Sequence, residues 1–254
     1  MITPQINPFI RKLEQLFPLT PEEKDLLQSS CSRTLEFRAD KDIVREGEQP
    51  TDCNLLLEGM VFRYKVLEDG KRQIFSFHVP GDIYDAQSFL LETMDHSVAT
   101  LTPCTIALIP HETMRQITEK YPRIGRAIWK DTLVDAAIFR EWMASIGRRS
   151  AYQRIAHIMC EMMVKLHTVG LADDHRRIEW PITQAELGDA LGLSNVHVNR
   201  TLQELRKHGL ITLKDSTLVV HDWEALQRAA MFAPLYLHLK SDRPGRHNGE
   251  RPTA

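Results

Sequence analysis

Residues 182 to 206 constrain this chain more than any other stretch, because they read as two short helices joined by a tight turn. Thr183 and Glu186 stand three apart, as a capping box at a helix start requires. Leu187, Ala190 and Leu191 then recur at helical spacing. Gly192 follows where the chain must turn sharply, and Ser194 is a good N-cap for a second helix. Val198, Leu202 and Leu205 give that helix one buried stripe, while Asn195, Val196, Asn199, Arg200 and Gln203 fall on the other face. A helix-turn-helix puts the N-terminal part of its second helix against base edges in the major groove, so the implied partner is double-stranded DNA. A plain helical hairpin shares this local pattern, but the continuation favours the DNA reader. His208-Gly209 closes the second helix, and two apolar runs, Leu210–Leu213 and Thr217–Val220, flank Lys214-Asp215-Ser216 as a hairpin. A helix-turn-helix followed by a hairpin is a winged helix.

A chain of 254 residues has room for two modest domains with real cores. Its formal charge of -2 excludes a globally basic nucleic-acid binder, so DNA binding must draw on local charge. Arg200, Arg206, Lys207 and Lys214 supply it in the winged region, and Arg148, Arg149 and Arg154 just upstream. Cys31, Cys53, Cys104 and Cys160 are scattered without a C-x-x-C pair, which speaks against zinc or an iron-sulfur cluster and for reduced thiols. His157, Cys160 and Glu161 share a helix face, which is read as ordinary helix packing, and no metal site is expected. A redox role for Cys160 or Cys104 stays open, although the apolar setting of Cys160 predicts an inert thiol. The absence of an apolar leader and of a run of about 18 apolar residues predicts a soluble, cytoplasmic protein with no membrane partner. No paired carboxylates, nucleophile-base spacing or phosphate loop stands out, so no enzyme is expected.

Four units follow along the chain. Residues 1–121 form an N-terminal effector-like domain. Helical stretches over 8–30 precede short strands from Leu35 to Pro110, punctuated by Gly47, Gly59, Gly70 and Gly81. Regular short strands argue an antiparallel β-roll. Residues 122–147 form one long helix, on which Ile124, Ile128, Val134, Ile138 and Trp142 fall on one side and are assigned to dimerisation. Residues 148–233 hold the winged helix-turn-helix, and 234–254 are expected to be a disordered tail. The fold class is α+β.

This order, with Pro80-Gly81-Asp82 in the roll and Ile182-Thr183-Gln184-Ala185-Glu186-Leu187-Gly188 opening the reader, resembles the Crp/Fnr family of bacterial transcription regulators. The resemblance spans about residues 20 to 222. It implies a homodimer on a two-fold symmetric operator, a domain of the cyclic-nucleotide-binding fold, and RNA polymerase as a partner if the protein activates. It also implies an effector pocket made of Gly81, Asp82, His96, Ser97, Phe139 and Arg140. In that pocket Gly81-Asp82 stands where the cyclic-AMP-binding members carry Gly-Glu. His96-Ser97 stands for their phosphate-holding Arg-Ser, with Asp95 beside it to repel an anion. Phe139 offers no hydrogen bond to adenine. Cyclic AMP is therefore not expected, because a phosphate without its guanidinium loses its best partner. Residues 1–30 also lack the cysteines of the oxygen-sensing members. On the reader, the resemblance implies base contacts from Asn195, Val196 and Arg200; Asn199 is a further candidate base reader, and for it and Asn195 a phosphate or their own backbone is the alternative partner. Thr183, Gln184, Ser194 and His197 are the candidate phosphate contacts. The effector is unknown or absent. The alternative function is a small-molecule sensor acting through protein contacts.

Overall fold

The computed structural model describes residues 8–173 and 176–239. Two helices open it, α1 (Pro8–Leu16) and α2 (Pro21–Ser29). The second begins with a capping box, in which the Thr20 hydroxyl accepts from Glu23 N and the Glu23 carboxylate accepts from Thr20 N. The roll follows as β1 (Arg33–Phe37), β2 (Asp42–Val44), β3 (Asp52–Glu58), β4 (Val61–Val66) and β5 (Arg72–His78). Then come a single helical turn α3 (Ser88–Leu91), β6 (Ser97–Thr100) and β7 (Cys104–Pro110). These strands form two antiparallel sheets, ordered β1-β7-β3 and β2-β6-β4-β5. The predicted turn at Gly70 joins β4 to β5, which pair from Val66 opposite Arg72 to Val61 opposite His78. The antiparallel roll is thus the observed fold.

Next come α4 (His111–Lys120), α5 (Pro122–Arg148) and α6 (Ala151–Thr168). A break at Arg149, where the backbone is extended, separates the last two, and Ser150 and Gln153 form the capping box that restarts the helix. The winged unit comprises β8 (Arg177–Glu179), α7 (Gln184–Leu191), α8 (Asn195–Lys207), β9 (Ile211–Lys214), β10 (Thr217–Val220) and α9 (Trp223–Ala230). Sequence reading expects only an extended entry around Ile178. In the fold, β8 pairs with β10, giving a three-stranded wing ordered β8-β10-β9.

The expected tail boundary at 234 needs correction. Pro234–Leu237 form a tight 3-10 turn whose Leu237 is buried. Tyr236 stacks on His157 and donates a 2.7 Å hydrogen bond to Glu161, which also accepts from the Trp142 indole. An aromatic residue with a polar tip can satisfy a buried carboxylate while packing on its neighbours, and this is what pins the segment. The rest of the expected tail, 240–254, lies outside the described residues.

One apolar core runs from the roll through α5 and α6 into the reader. It joins Phe62, Ile74 and Phe77 to Trp142, Met159, Leu187 and Leu202. The reader is therefore packed on its own roll rather than hung from a linker.

Candidate nucleic-acid interface and effector region

The reader is assembled by local caps. Thr183 Oγ1 accepts from Glu186 N at 3.2 Å, and Glu186 Oε2 accepts from Thr183 N at 2.7 Å. The chain leaves α7 at Gly192, in the left-handed region (φ 65°), and Ser194 Oγ caps α8 by accepting from His197 N. A Cβ on Gly188 would stand 2.6 Å from the Leu193 carbonyl oxygen, so only glycine lets the turn fold this close to α7. Val198, Leu202 and Leu205 are buried as their spacing predicts.

The opposite face of α8 is open. Asn195 and Arg200 are exposed and Val196 is 79% exposed. Among the described residues, no hydrogen bond or ion pair given by the structure engages the Arg200 guanidinium. Asn199 differs: its Nδ2 donates to Gln184 Oε1 at 3.2 Å and its Oδ1 accepts from Gln203. It ties α8 to the start of α7 before any ligand arrives. Thr183, Gln184, Ser194 and His197 all lie on the exposed rim of the unit, with the two hydroxyls engaged as caps. Amide donors at two helix N-termini on one surface form a natural anion-binding face. The wing turns at Asp215 and Ser216, both at positive φ, and exposes Lys214 beside them.

The six residues expected to share an effector pocket do not share one. Gly81 (φ 97°) lies beneath α1, where a Cβ would meet the Pro8 carbonyl oxygen at 2.7 Å. Asp82 is buried and bound to Lys12 at 2.7 Å, His78 at 3.1 Å and Lys165 at 3.6 Å. Burial would raise the Asp82 carboxyl, but the two ammonium groups and His78 hold it well below the usual carboxylate range. His96 turns to Asp95 at 2.7 Å, and Ser97 Oγ accepts from Glu46 N. Phe139 packs under the Arg63 guanidinium, and Arg140 points outward. The N-terminal helix α1 covers Gly81 and holds Asp82 through Lys12.

Around Asp82 stands an internal charge lattice. Lys12 of α1 bridges Asp82 of the roll and Asp131 of α5. Arg63 of β4 pairs with Asp135 of α5 and donates to the Tyr84 carbonyl oxygen. Lys165 of α6 donates to the Phe77 carbonyl oxygen at 2.7 Å. Burial, reinforced by Arg63, pushes His78 down to about 4, so it is neutral at pH 7. These groups surround a cavity of about 90 Å³. The guanidinium beside it, that of Arg63, is already bound to the Asp135 carboxylate. Among the described residues, no group of three His, Cys, Asp or Glu side chains is poised to hold a metal ion. Cys160 is fully buried, and burial pushes its thiol up, away from the reactive thiolate; Cys104 is shifted the same way.

The dimerisation residues also need correction. Ile124, Ile128, Val134, Ile138 and Trp142 are all buried within their own chain. They form the inner face of α5, against the roll, α4 and α6, and cannot also meet a second copy. The outer face carries Arg126, Trp129, Leu133, Ala136, Arg140, Met143 and Gly147, at alternating spacings of three and four residues. Trp129, Leu133 and Met143 are 65%, 53% and 74% exposed. That alternation is the seam pattern of paired helices.

Two family models match the chain: a cyclic nucleotide-binding domain over residues 34–121 and a Crp-like helix-turn-helix domain over residues 153–229. The curated relatives include a probable transcriptional activator of Rhizobium leguminosarum bv. viciae, 25% identical over 81% of this chain and 83% of that one. The nitrogen fixation regulation protein FixK of Bradyrhizobium diazoefficiens is 28% identical over 71% of this chain and 75% of its own length. Among solved structures, FixK2 from Bradyrhizobium japonicum superposes with a TM-score of 0.71 at 24% identity, covering 79% of this chain and 98% of that one. At this identity the superposition bears on the fold alone.

Proposed function

The chain belongs to the Crp/Fnr family of DNA-binding transcription regulators, and we propose that it works as a homodimer reading a two-fold symmetric operator without a cyclic nucleotide. The open face of α8, with Arg200 unengaged beside Asn195 and Val196, is the observation that carries this reading. Arg200 pairs with guanine O6 and N7 in each half-site, and Val196 makes apolar contact, for instance with a thymine methyl. Thr183, Gln184, Ser194 and His197 hold the phosphates that set the register. Asn199 orients Gln184 and reads an adenine only by giving up that hydrogen bond. Pairing of two α5 helices along Trp129, Leu133 and Met143 sets the readers roughly 34–36 Å apart, one turn of DNA. The relatives' names, a transcriptional activator and a nitrogen fixation regulator, support activation through RNA polymerase.

The internal lattice supports control by protein level rather than by a cyclic nucleotide. Lys12 and Arg63 already join the roll to α5, the joint at which an effector must distinguish two states if it is to shift their populations. The protein then acts where the chromosome is, in the cytoplasm, and among the described residues no helix is long and apolar enough to cross a membrane.

Selection of bound genomic fragments by the purified protein, with and without cyclic AMP, tests this. The expected result is one palindromic motif, unchanged by the nucleotide. Arg200→Ala should relax one base in each half-site, since a bidentate guanine contact is worth about 1–3 kcal/mol of discrimination. Fragments without symmetry, or a motif found only with the nucleotide, would refute the proposal.

A further inference from the structure

The last turn of a helix leaves carbonyl groups without intrahelical partners and carries the negative end of the helix dipole. The first reader helix, α7, has no basic residue of its own in that turn. Its partners come from elsewhere. Arg154 of α6 donates to the Leu191 carbonyl oxygen at 2.9 Å. The roll adds two contacts: Gln73 of β5 donates to the Ala190 carbonyl oxygen at 3.3 Å, and Arg72 Nε pairs with the Asp189 side chain, at Oδ2, at 2.8 Å. The Arg72 guanidinium is held from behind, 5.1 Å from the Phe62 ring centroid and 5.9 Å from that of Tyr64. Phe62 is itself locked in the core. Arg72 is thus aimed at the reader by a fixed aromatic wall, and both partners are only 33% exposed.

We propose that Arg72 is a positioning residue for DNA reading. It clamps the C-terminal end of α7 to the roll, fixing the angle between the reader and the pairing helix, and thereby the separation of half-sites that the dimer accepts. The inference rests on the dimeric-reader proposal above. Arg154 holds the same end of α7 from α6, within the reader's own unit, so it does not fix that end to the roll. Without Arg72 the reader can shift against the roll and accept half-sites at altered separations.

The test compares affinity for the selected operator with affinity for the same operator carrying one base pair added or removed between half-sites. The proteins are the full-length parent, Arg72→Ala, Asp189→Ala and the charge exchange Arg72→Asp with Asp189→Arg. Each single variant should lose roughly three- to tenfold of the parent's preference for the natural separation, the size expected of a partly buried ion pair backed by an aromatic face. The exchange should restore most of it. Arg200→Ala, by contrast, should weaken binding at both separations and leave the preference alone. A preference unchanged in both single variants, or an exchange as impaired as they are, would overturn the proposal. So would a loss of affinity equal at both separations, because that is the signature of a merely structural role.

A second readout needs no DNA. Spin labels at Asp69→Cys and Glu204→Cys, in a Cys31→Ser background, report the distance between roll and reader. The distribution should broaden in Arg72→Ala and narrow again in the exchange. If the parent selects no operator, the regulator reading fails, and these distances alone decide the clamp: an equally narrow distribution in Arg72→Ala refutes it.

Discussion

Lys12 ties three elements of the interior together, α1, the roll and α5. It is held by two carboxylates from different elements, and although burial opposes its charge, Asp131 and Asp82 raise its pKa. Removing one partner of a buried pair leaves an uncompensated charge, which costs roughly 3–5 kcal/mol. Urea unfolding of Lys12→Met should show a loss of that order, and Lys12→Met with Asp131→Asn should recover part of it. The sign for Asp82 is that of a carboxylate lowered in the fold. Its stabilisation is present above the unfolded value of about 3.8 and is lost as pH falls through the lower folded value. His157 behaves oppositely in origin. Burial, reinforced by Arg149 and opposed by Glu141, lowers it from 6.5 to about 4. Between those values the unfolded chain takes up the proton and the fold does not, so His157 makes stability fall as pH drops from 6.5 to 4, by up to about 3 kcal/mol. Asp85, raised to about 6 chiefly by burial, works the other way over much of that range. The comparison is therefore between parent and His157→Gln at each pH, and the variant should have the shallower acid loss.

The long helix α5 has two apolar faces with different duties, and substitutions should separate them. Leu133→Glu and Met143→Glu place charges on the outer face. Sedimentation should show a folded monomer that binds a half-site but not the full operator with parental affinity. Ile128→Ala lies on the inner face, where truncating a buried side chain costs about 2–5 kcal/mol. It should lower the unfolding midpoint and leave the association state of the folded protein unchanged. An Ile128 variant that stays fully stable but dissociates would reverse this assignment of faces. The sequence shows why the inner face draws the assignment. Branched aliphatic residues mark the inner face densely, whereas the outer seam is interrupted by Arg126 and Arg140 and carries its apolar weight on Trp129, Leu133 and Met143. The seam is visible only once the inner face is known to be covered.

For the molecule as a whole, what could be read in advance is what local rules write. The roll, the long helix and the winged reader follow from caps, glycine turns and periodicity. The stripe Val198, Leu202 and Leu205 therefore faces inward as expected. The unforeseen parts join residues far apart in the chain. Lys12 with Asp131, Arg72 with Asp189 and Tyr236 with Glu161 leave no periodic trace, because pairing across folded elements has no fixed spacing. The effector region is one such case: motif matching places Gly81 and Asp82 in a pocket, and only the fold brings α1 over them. At this level the expectation is that cyclic AMP changes neither the unfolding temperature nor operator affinity. A ligand that binds the fold must raise the unfolding temperature, so a concentration-dependent rise would reopen the cavity as a nucleotide site.

Three acids, Asp82, Asp131 and Asp135, meet three bases, Lys12, Arg63 and Lys165, in this interior. Altering any one of them strands a partner in a medium that tolerates unmatched charge poorly. Natural descent must then pass through linked replacements. Across an alignment of close relatives, these six columns should mutate in concert or stay still, and that covariance would record the lattice in sequences whose structures nobody has determined.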